Sequence, residues 1–315
     1  MESLRTLLLP FFQGEFAAVS AAMLWSVSVI LLRVSGLSLA PVPLTFFKSL
    51  VALGCFGLTI LAQGLPLLPD LGQGAYLRLV VSAILGIALA DTLFLAALNR
   101  LGASLQALAD CIYAPSVAAV GFLMFGEALT GREILGGTLV LAGVAVGVGL
   151  GGGEGASAEA TSPEGASSGK LWEGVVLAAF AHVIMAVGIL MVRDVLRAEP
   201  VVWVCGFRFM LATVLLGIYA VLKGEDLKAP FRRFDLYKWT LTLSVLGPYL
   251  ATIFWATGFK YTTPGRAAIY NQLSTVFIII LARLFLGEQM TPRRFAGVVL
   301  AGLGSLLVAT SGQAG

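Results

Sequence analysis

The sequence predicts an all-α polytopic membrane protein whose ten transmembrane helices form two inverted repeats of five. Two observations support this fold class. First, 58% of the 315 residues are hydrophobic and only 12% are charged, whereas soluble domains carry about 25% charged residues. Second, the chain matches itself at an offset of 160 residues, so that Phe47 and Lys48 align with Phe207 and Arg208.

Each predicted helix corresponds to one long apolar run. A transmembrane helix needs about 20 mainly apolar residues. In the first half such runs predict spans at residues 16–34, 43–63, 77–98, 103–125 and 132–150. In the second half they predict spans at residues 172–192, 201–222, 237–259, 264–286 and 293–311. Because five is odd, the second half must enter the membrane with inverted topology, an arrangement that many secondary transporters use.

The segments outside the spans predict the domain organisation. Residues 1–15 contain Pro10 and precede an apolar run without a convincing cleavage site, which predicts an interfacial N-terminal segment. The two five-helix units then take residues 16–150 and 172–311. Between them, residues 151–171 are rich in Gly, Ser, Ala and Glu. Such a composition buries too little apolar surface to fold, so we expect a flexible linker.

A Gly-Glu turn occurs at the same place in both halves. The turn is followed by a threonine and two glycines at the same spacing in both halves. These residues are Gly126, Glu127, Thr130, Gly136 and Gly143 in one half, and Gly287, Glu288, Thr291, Gly297 and Gly304 in the other. This paired motif resembles the signature of the EamA domain of the drug/metabolite transporter (DMT) superfamily, over residues 16–150 and 172–311. The resemblance implies a ten-helix bundle around a central cavity and transport by alternating access. It does not imply a substrate, since relatives carry amino acids, other small metabolites, nucleotide sugars and organic phosphates.

The chain departs from the EamA pattern at two places. The arginine often seen early in the second span is Lys48 here, although Arg208 keeps the pattern in the seventh span. A proline often found in the fourth span is present as Pro115, but the ninth span has Ser274 and Thr275 in that region. Because lysine lacks the planar fork of arginine, the two cationic positions need not bind a carboxylate alike.

Glycines and the Gly-Glu carboxylates are expected to serve structure. The fifth and tenth spans are rich in glycine, and small residues allow helices to approach closely in lipid. We expect these spans to pack within the bundle, with a homodimer interface as the alternative. Glu127 and Glu288 are expected to accept backbone N–H groups at the N-terminus of the next helix rather than to bind substrate.

Two carboxylates within the spans are candidates for function, because intramembrane charges usually face a cavity or a partner. Asp91 and Asp110 both lie about eight or nine residues from the connection at 100–102, which predicts similar depths on neighbouring helices. They are expected to share a proton or to bind a substrate ammonium. The alternative is local hydrogen bonding. Their repeat mates are Ala251 and Tyr270, so the predicted site is asymmetric.

Three basic side chains within the spans are further candidates. Lys48 and Arg208 are predicted near opposite membrane faces, where either meets a substrate carboxylate or phosphate, snorkels to the headgroups, or closes a gate with a carboxylate. His182 is the only histidine and lies mid-span in the sixth helix. It could titrate near neutrality and couple protons, but hydrogen bonding or packing is the favoured interpretation.

Neutral polar and aromatic side chains suggest the character of the solute. Trp25 in the first span, Tyr113 in the fourth, and Tyr270 with Asn271 in the ninth suit a small amphipathic molecule. The alternative is interhelical hydrogen bonding and ring packing.

The sequence therefore predicts a secondary transporter of small polar or amphipathic, amino-acid-like metabolites that acts as an exporter or exchanger. Proton coupling through Asp91 or Asp110 is an option within this prediction. The predicted substrate-binding residues are Trp25, Lys48, Asp91, Asp110, Tyr113, His182, Arg208, Tyr270 and Asn271. An organic-cation or drug efflux protein is the alternative. An intramembrane enzyme is disfavoured, because no nucleophile–base pair or phosphate-binding loop can be assembled.

The remaining expectations concern partners and location. The expected partners are a small-molecule substrate and the lipid bilayer, with no nucleic acid, cofactor or metal. The three cysteines are dispersed in apolar spans and are interpreted as packing residues. The expected location is the bacterial cytoplasmic (inner) membrane. Loops on the side opposite the termini hold ten Lys and Arg residues against seven on the side of the termini, which weakly favours both termini outside.

Overall fold

The computed structural model describes residues 2–126, 129–148, 168–261 and 264–311, without the side chains of 2–13, 15, 168, 259, 264–272 and 311. In the first half the helices are α1 (Glu2–Gly36), α2 (Pro41–Ala62), α3 (Gln73–Ala83), α4 (Ala90–Asp110), α5 (Tyr113–Phe125) and α6 (Gly131–Val148). In the second half they are α7 (Ser168–Leu190), α8 (Arg193–Ala198), α9 (Val201–Lys223), α10 (Ala229–Arg232), α11 (Phe234–Ser244), α12 (Thr252–Tyr261), α13 (Pro264–Leu286) and α14 (Pro292–Ser311). Two π-helical segments, Ile84–Leu89 and Val245–Ala251, join α3 to α4 and α11 to α12.

These helices confirm an all-α polytopic membrane fold with two five-helix repeats. Within the described residues, eight segments are long and apolar enough to cross a membrane, and two shorter apolar helices, Tyr113–Phe125 and Leu273–Leu286, accompany them. Apart from the first helix, the predicted span limits differ most at the starts of the third and sixth spans, where the helices begin at residues 73 and 168 rather than 77 and 172. Helix α1 begins at Glu2, so the predicted interfacial segment is continuous with the first span. The predicted linker falls mainly on residues 149–167, which lie outside the described residues.

A single glycine separates the third and fourth spans. Gly102 lies within α4 and has φ of 77° and ψ of 173°, a conformation that side chains with a Cβ rarely adopt. The third span ends at this break, where the Arg33 guanidinium donates hydrogen bonds to the carbonyl oxygens of Leu98 (3.2 Å) and Asn99 (2.9 Å). Arg33 thereby satisfies carbonyl groups that the helix end leaves without partners.

The two π-helical segments occupy matching positions in the two repeats. At the offset of 160, residues 84–89 align with residues 244–249, and all of these except 244 lie within Val245–Ala251. The second segment contains Pro248, whose ring nitrogen cannot donate to the preceding turn. A π turn is one residue wider than an α turn, and such segments are frequent at functional sites.

A second helix break precedes α5. Residues Cys111 and Ile112 form a turn in which each backbone N–H bonds to the carbonyl three residues earlier. Pro115 lies just beyond and has no N–H to donate to the carbonyl of Cys111, so the regular ladder stops here. The corresponding region of α13 contains no proline, and that helix is continuous from Pro264 to Leu286. The break places Asp110 at the end of α4.

Helices α6 and α14 pack against each other through their glycines. A Cβ added to Gly143 would lie 2.6 Å from the backbone nitrogen of Ala301, and one added to Gly136 would lie 2.5 Å from the carbonyl oxygen of Gly304. At these positions only glycine permits such an approach. The glycine faces of the fifth and tenth spans therefore contact each other within one chain. The alternative of a homodimer through these two spans stays a prediction.

Candidate functional site

A cavity of about 140 Å³ lies where the two repeats meet. Seven of the nine predicted site residues line it, namely Trp25, Lys48, Asp91, Asp110, Tyr113, His182 and Arg208. The side chains of Tyr270 and Asn271 lie outside the described residues, but Ser274 on the same helix lines the cavity. An apolar cavity of about 150 Å³ holds a benzene molecule, so this space fits a small solute.

Lys48 and Asp91 form a buried ion pair at the cavity. The Lys48 ammonium contacts Asp91 Oδ2, and the two side chains are 5% and 16% exposed. This pairing differs from the expectation that Asp91 shares a proton with Asp110. Depth along a helix cannot give the rotation of a side chain about the helix axis, which decides the partner.

Arg208 reaches the same cavity from the other repeat. Its guanidinium lies against the first π-helical segment, since a Cβ on Gly86 would be 2.9 Å from Arg208 Nη2. Arg208 is only 5% exposed, and its Nε has no hydrogen-bond partner among the described side chains. Asp91 and Tyr113 lie close enough to interact with it electrostatically. Two buried cations, Lys48 and Arg208, therefore surround one carboxylate.

The predicted placement of these cations near opposite membrane faces is corrected by the structure. Lys48 is seven residues after Pro41, and Arg208 is seven residues after Val201. Each therefore lies about 10 Å along its helix axis. Since the two helices enter from opposite sides of an apolar core about 30 Å thick, both cations approach the middle, and they line one cavity.

Asp110 belongs to a second polar cluster. His182 Nε2 lies 3.3 Å from Asp110 Oδ1, and the two side chains are 5% and 13% exposed. Gln106 Nε2 donates a hydrogen bond of 2.8 Å to the same oxygen. His182 Nδ1 lies 2.6 Å from the carbonyl oxygen of Ala178. The favoured sequence interpretation of His182 was hydrogen bonding, and the structure adds that its partner is a cavity carboxylate.

Aromatic rings form the apolar walls of the cavity. The Trp25 and Phe94 ring centroids are 5.7 Å apart, and His182 lies 6.3 Å from Phe94 and 6.0 Å from Tyr113. The Tyr113 hydroxyl is buried without a hydrogen-bond partner among the described residues. Sequence reasoning missed Phe94 as a lining residue. At the offset of 160 residues it aligns with Phe254, which identifies it only as part of the repeat.

Comparison with known proteins explains the duplicated architecture. The model of the EamA-like transporter family matches residues 12–148 and again residues 172–310. The chain belongs to this family. It is therefore an integral membrane protein of a transporter family, as the paired Gly-Glu turns led us to expect.

Individual relatives agree with the EamA assignment. A protein of Bacillus subtilis (strain 168) named uncharacterized transporter YyaM is 30% identical over 107 residues, which is 34% of each chain. An uncharacterized transporter of Archaeoglobus fulgidus is 28% identical over 105 residues, 33% of this chain and 36% of the relative. The matches thus span about a third of these curated relatives. One crystal structure shares the fold, with a TM-score of 0.66, 20% identity and coverage of 94% of this chain and 96% of its own.

The EamA Gly-Glu motif performs a capping role across the two repeats. Gly287 ends α13 with φ of 66°, and the carboxylate of Glu288 accepts backbone hydrogen bonds from Ala103 (2.9 Å) and Ser104 (2.8 Å). The capped helix is thus the fourth span rather than the next helix, α14, which corrects the predicted partner. Glu288 does not line the cavity. Glu127 lies outside the described residues.

Proposed function

We propose that this EamA transporter moves small zwitterionic metabolites of the amino-acid type across the cytoplasmic membrane by alternating access, as an exporter or exchanger. The observation that carries the proposal is the buried Arg208 guanidinium at the edge of a small cavity. The carboxylate that interacts electrostatically with Arg208, Asp91, already pairs with Lys48. One positive charge is therefore left without a full counter-charge among the described side chains.

An anionic group on the substrate would supply that counter-charge. Uncompensated charges within a membrane protein are costly and usually belong to substrate or ion pathways. The guanidinium fork binds a carboxylate through two parallel hydrogen bonds. Tyr113 lies near Arg208 and has a hydroxyl without a partner among the described residues. Together, Arg208 and Tyr113 offer the donors that a carboxylate requires.

A cationic group would find its partner in the second cluster. The Asp110 carboxylate lines the same cavity as Arg208 but is held by Gln106 and His182 instead. Opposite charges that share a cavity without pairing suit a solute that carries both signs. The aromatic walls at Trp25 and Phe94 would receive an apolar side chain.

Flux measurements with the purified protein in liposomes test this proposal. We expect the protein to exchange radiolabelled neutral amino acids, tested as a panel, and Arg208→Gln to weaken the exchange about 10- to 100-fold, because hydrogen bonds to a charged group contribute about 1.5–3 kcal/mol. Arg100→Gln is the matched control, since Arg100 is 40% exposed and pairs with the exposed Glu173 outside the cavity. Wild-type exchange by Arg208→Gln, or no exchange of any amino acid, would contradict the proposal.

Efflux of organic cations is the second candidate function. It is favoured by Asp110 beside the aromatic rings of Trp25 and Phe94, since a cation is attracted both by a carboxylate and by a ring face. The two candidate functions differ in whether transport depends on Arg208, the group proposed to bind the substrate anion. Transport of the small cation tetramethylammonium that is unaffected by Arg208→Gln would favour efflux of cations over transport of zwitterions.

A further inference from the structure

We infer that Asp110 and His182 together form the binding site for one transported proton, at the cavity that we propose takes the substrate. The exchange of this proton for substrate rests on the proposed function. The existence of the proton site itself rests on the contacts of the two side chains.

A backbone contact holds His182 in one tautomer. Its Nδ1 lies 2.6 Å from the carbonyl oxygen of Ala178. A carbonyl oxygen has no hydrogen to donate, so Nδ1 must carry a proton and donate it to this oxygen. Because the Ala178 carbonyl lies one turn earlier on the same helix, α7, it holds the ring in this tautomer.

The other ring nitrogen of His182, Nε2, faces the Asp110 carboxylate. In a neutral imidazole with the proton on Nδ1, Nε2 is an acceptor. Nε2 lies 3.3 Å from Asp110 Oδ1 in a buried setting, and an ionised carboxylate is also only an acceptor. Two acceptors at this distance repel each other. One additional proton, on Nε2 or on the Asp110 carboxyl, turns the contact into a hydrogen bond.

Asp91, the other predicted proton carrier, has a different setting. Its Oδ2 contacts the Lys48 ammonium, whose hydrogens satisfy this contact without any added proton. The other titratable or charged groups near the cavity or Asp110 in the described part of the chain are Lys48, Asp91, Cys111, Tyr113 and Arg208. Among their described contacts, none places two acceptors together as His182 and Asp110 do.

The shared proton provides a means of coupling. A substrate ammonium that takes Asp110 as its partner brings its own N–H donors to the carboxylate. The extra proton then leaves the N–H or O–H bond that held it and passes to the solvent, and His182 returns to its neutral tautomer. Substrate and proton therefore occupy Asp110 in turn, which makes the protein a proton–substrate antiporter and allows a proton gradient to drive export.

Nuclear magnetic resonance of the single histidine tests the proton site without any substrate. The full chain, without a histidine tag, carries one ¹⁵N-labelled imidazole. At neutral pH we expect either two N-bound ring protons, or one on Nδ1 together with a protonated Asp110 carboxyl seen by ¹³C. A neutral ring with an ionised Asp110 would overturn the inference.

Two isosteric variants make this test specific. In Asp110→Asn the amide can itself donate to Nε2, so we expect a neutral ring with its proton on Nδ1. Asp91→Asn is the matched control, because it removes a cavity carboxylate that pairs with Lys48 instead, and it should leave the ring signals unchanged. The same ring protonation in Asp110→Asn as in the wild type would count against the shared proton.

Coupling is tested in liposomes that contain the pH dye pyranine and an equimolar mixture of neutral amino acids. We expect wild-type protein to move one proton inward for each amino acid that leaves. Asp110→Asn and His182→Gln should move no proton with whatever amino-acid flux they retain. If the ring carries the extra proton but no amino acid is transported, the proposed substrate is wrong and the proton site stands. If amino acids move and the variants keep their proton coupling, the inference fails.

Discussion

Glu288→Gln tests the idea that the EamA motif stabilises the fold from the opposite repeat. The carboxylate of Glu288 is 6% exposed and accepts two backbone N–H groups at the start of the fourth span. A glutamine keeps one acceptor oxygen and turns an NH₂ group toward the second donor. One hydrogen bond is thereby lost, and the other no longer has a charged acceptor. A hydrogen bond to a charged group contributes about 1.5–3 kcal/mol and a neutral one about 1 kcal/mol, so we expect a loss of about 2–5 kcal/mol.

The assay is the free energy of unfolding of the purified protein in mixed micelles, titrated with a denaturing detergent. Glu133→Gln is the control, because Glu133 forms an exposed capping box with Thr130 at the start of α6. We expect it to change stability by no more than about 0.5 kcal/mol. Equal effects of the two substitutions would refute the buried cap. A loss of substrate affinity in Glu288→Gln at unchanged stability would refute a purely structural role.

Three further substitutions test the packing and charge arguments. Lys48→Met should lower the free energy of unfolding by up to about 3–5 kcal/mol, since the buried Asp91 loses its direct partner and keeps only its electrostatic interaction with Arg208. Adding Asp91→Asn should recover part of this loss in a double-mutant cycle, and a fully additive cycle would exclude the pair. Gly188→Ala should lower the melting temperature, because the new Cβ would lie 2.8 Å from the backbone of Gly86. Gly302→Ala meets no atom of the described residues within 4 Å and should leave the melting temperature unchanged or raise it; equal melting temperatures would contradict the close contact. Gly143→Ala should likewise destabilise the contact of α6 with α14, where the Cβ would lie 2.6 Å from the Ala301 nitrogen; an unchanged melting temperature would show that these helices can separate without loss.

The sequence was sufficient to predict the fold, because the features that mark it either recur along the chain or occur once in each repeat. Apolar runs mark the spans, and Gly126 and Gly287, with φ of 68° and 66°, end helices at equivalent points of the two repeats. Residue type also singled out the intramembrane charges Lys48 and Asp91, which the structure places at one cavity.

The pairing of these charges could not be predicted in the same way. Counting residues gives depth but not rotation about the helix axis, and a π-helical segment changes that rotation just before Asp91. Asp91 therefore contacts Lys48, and Asp110 contacts His182, where the sequence suggested a pair of aspartates. Phe94 and Met185 line the cavity without any polar atom to distinguish them from ordinary packing residues.

The matched π-helical segments also bear on the history of the chain. A π turn differs from an α turn by one additional residue, and both repeats contain it at corresponding positions, Ile84–Leu89 and Val245–Ala251. Two separate insertions at the same point of two diverged halves are a less economical explanation than one insertion before the ancestral gene doubled. The residue that follows the widened turn differs between the halves, Asp91 against Ala251, so the shared turn does not itself require an acidic side chain. The backbone that shapes the cavity is thus common to both halves, whereas this part of its charge chemistry belongs to one half.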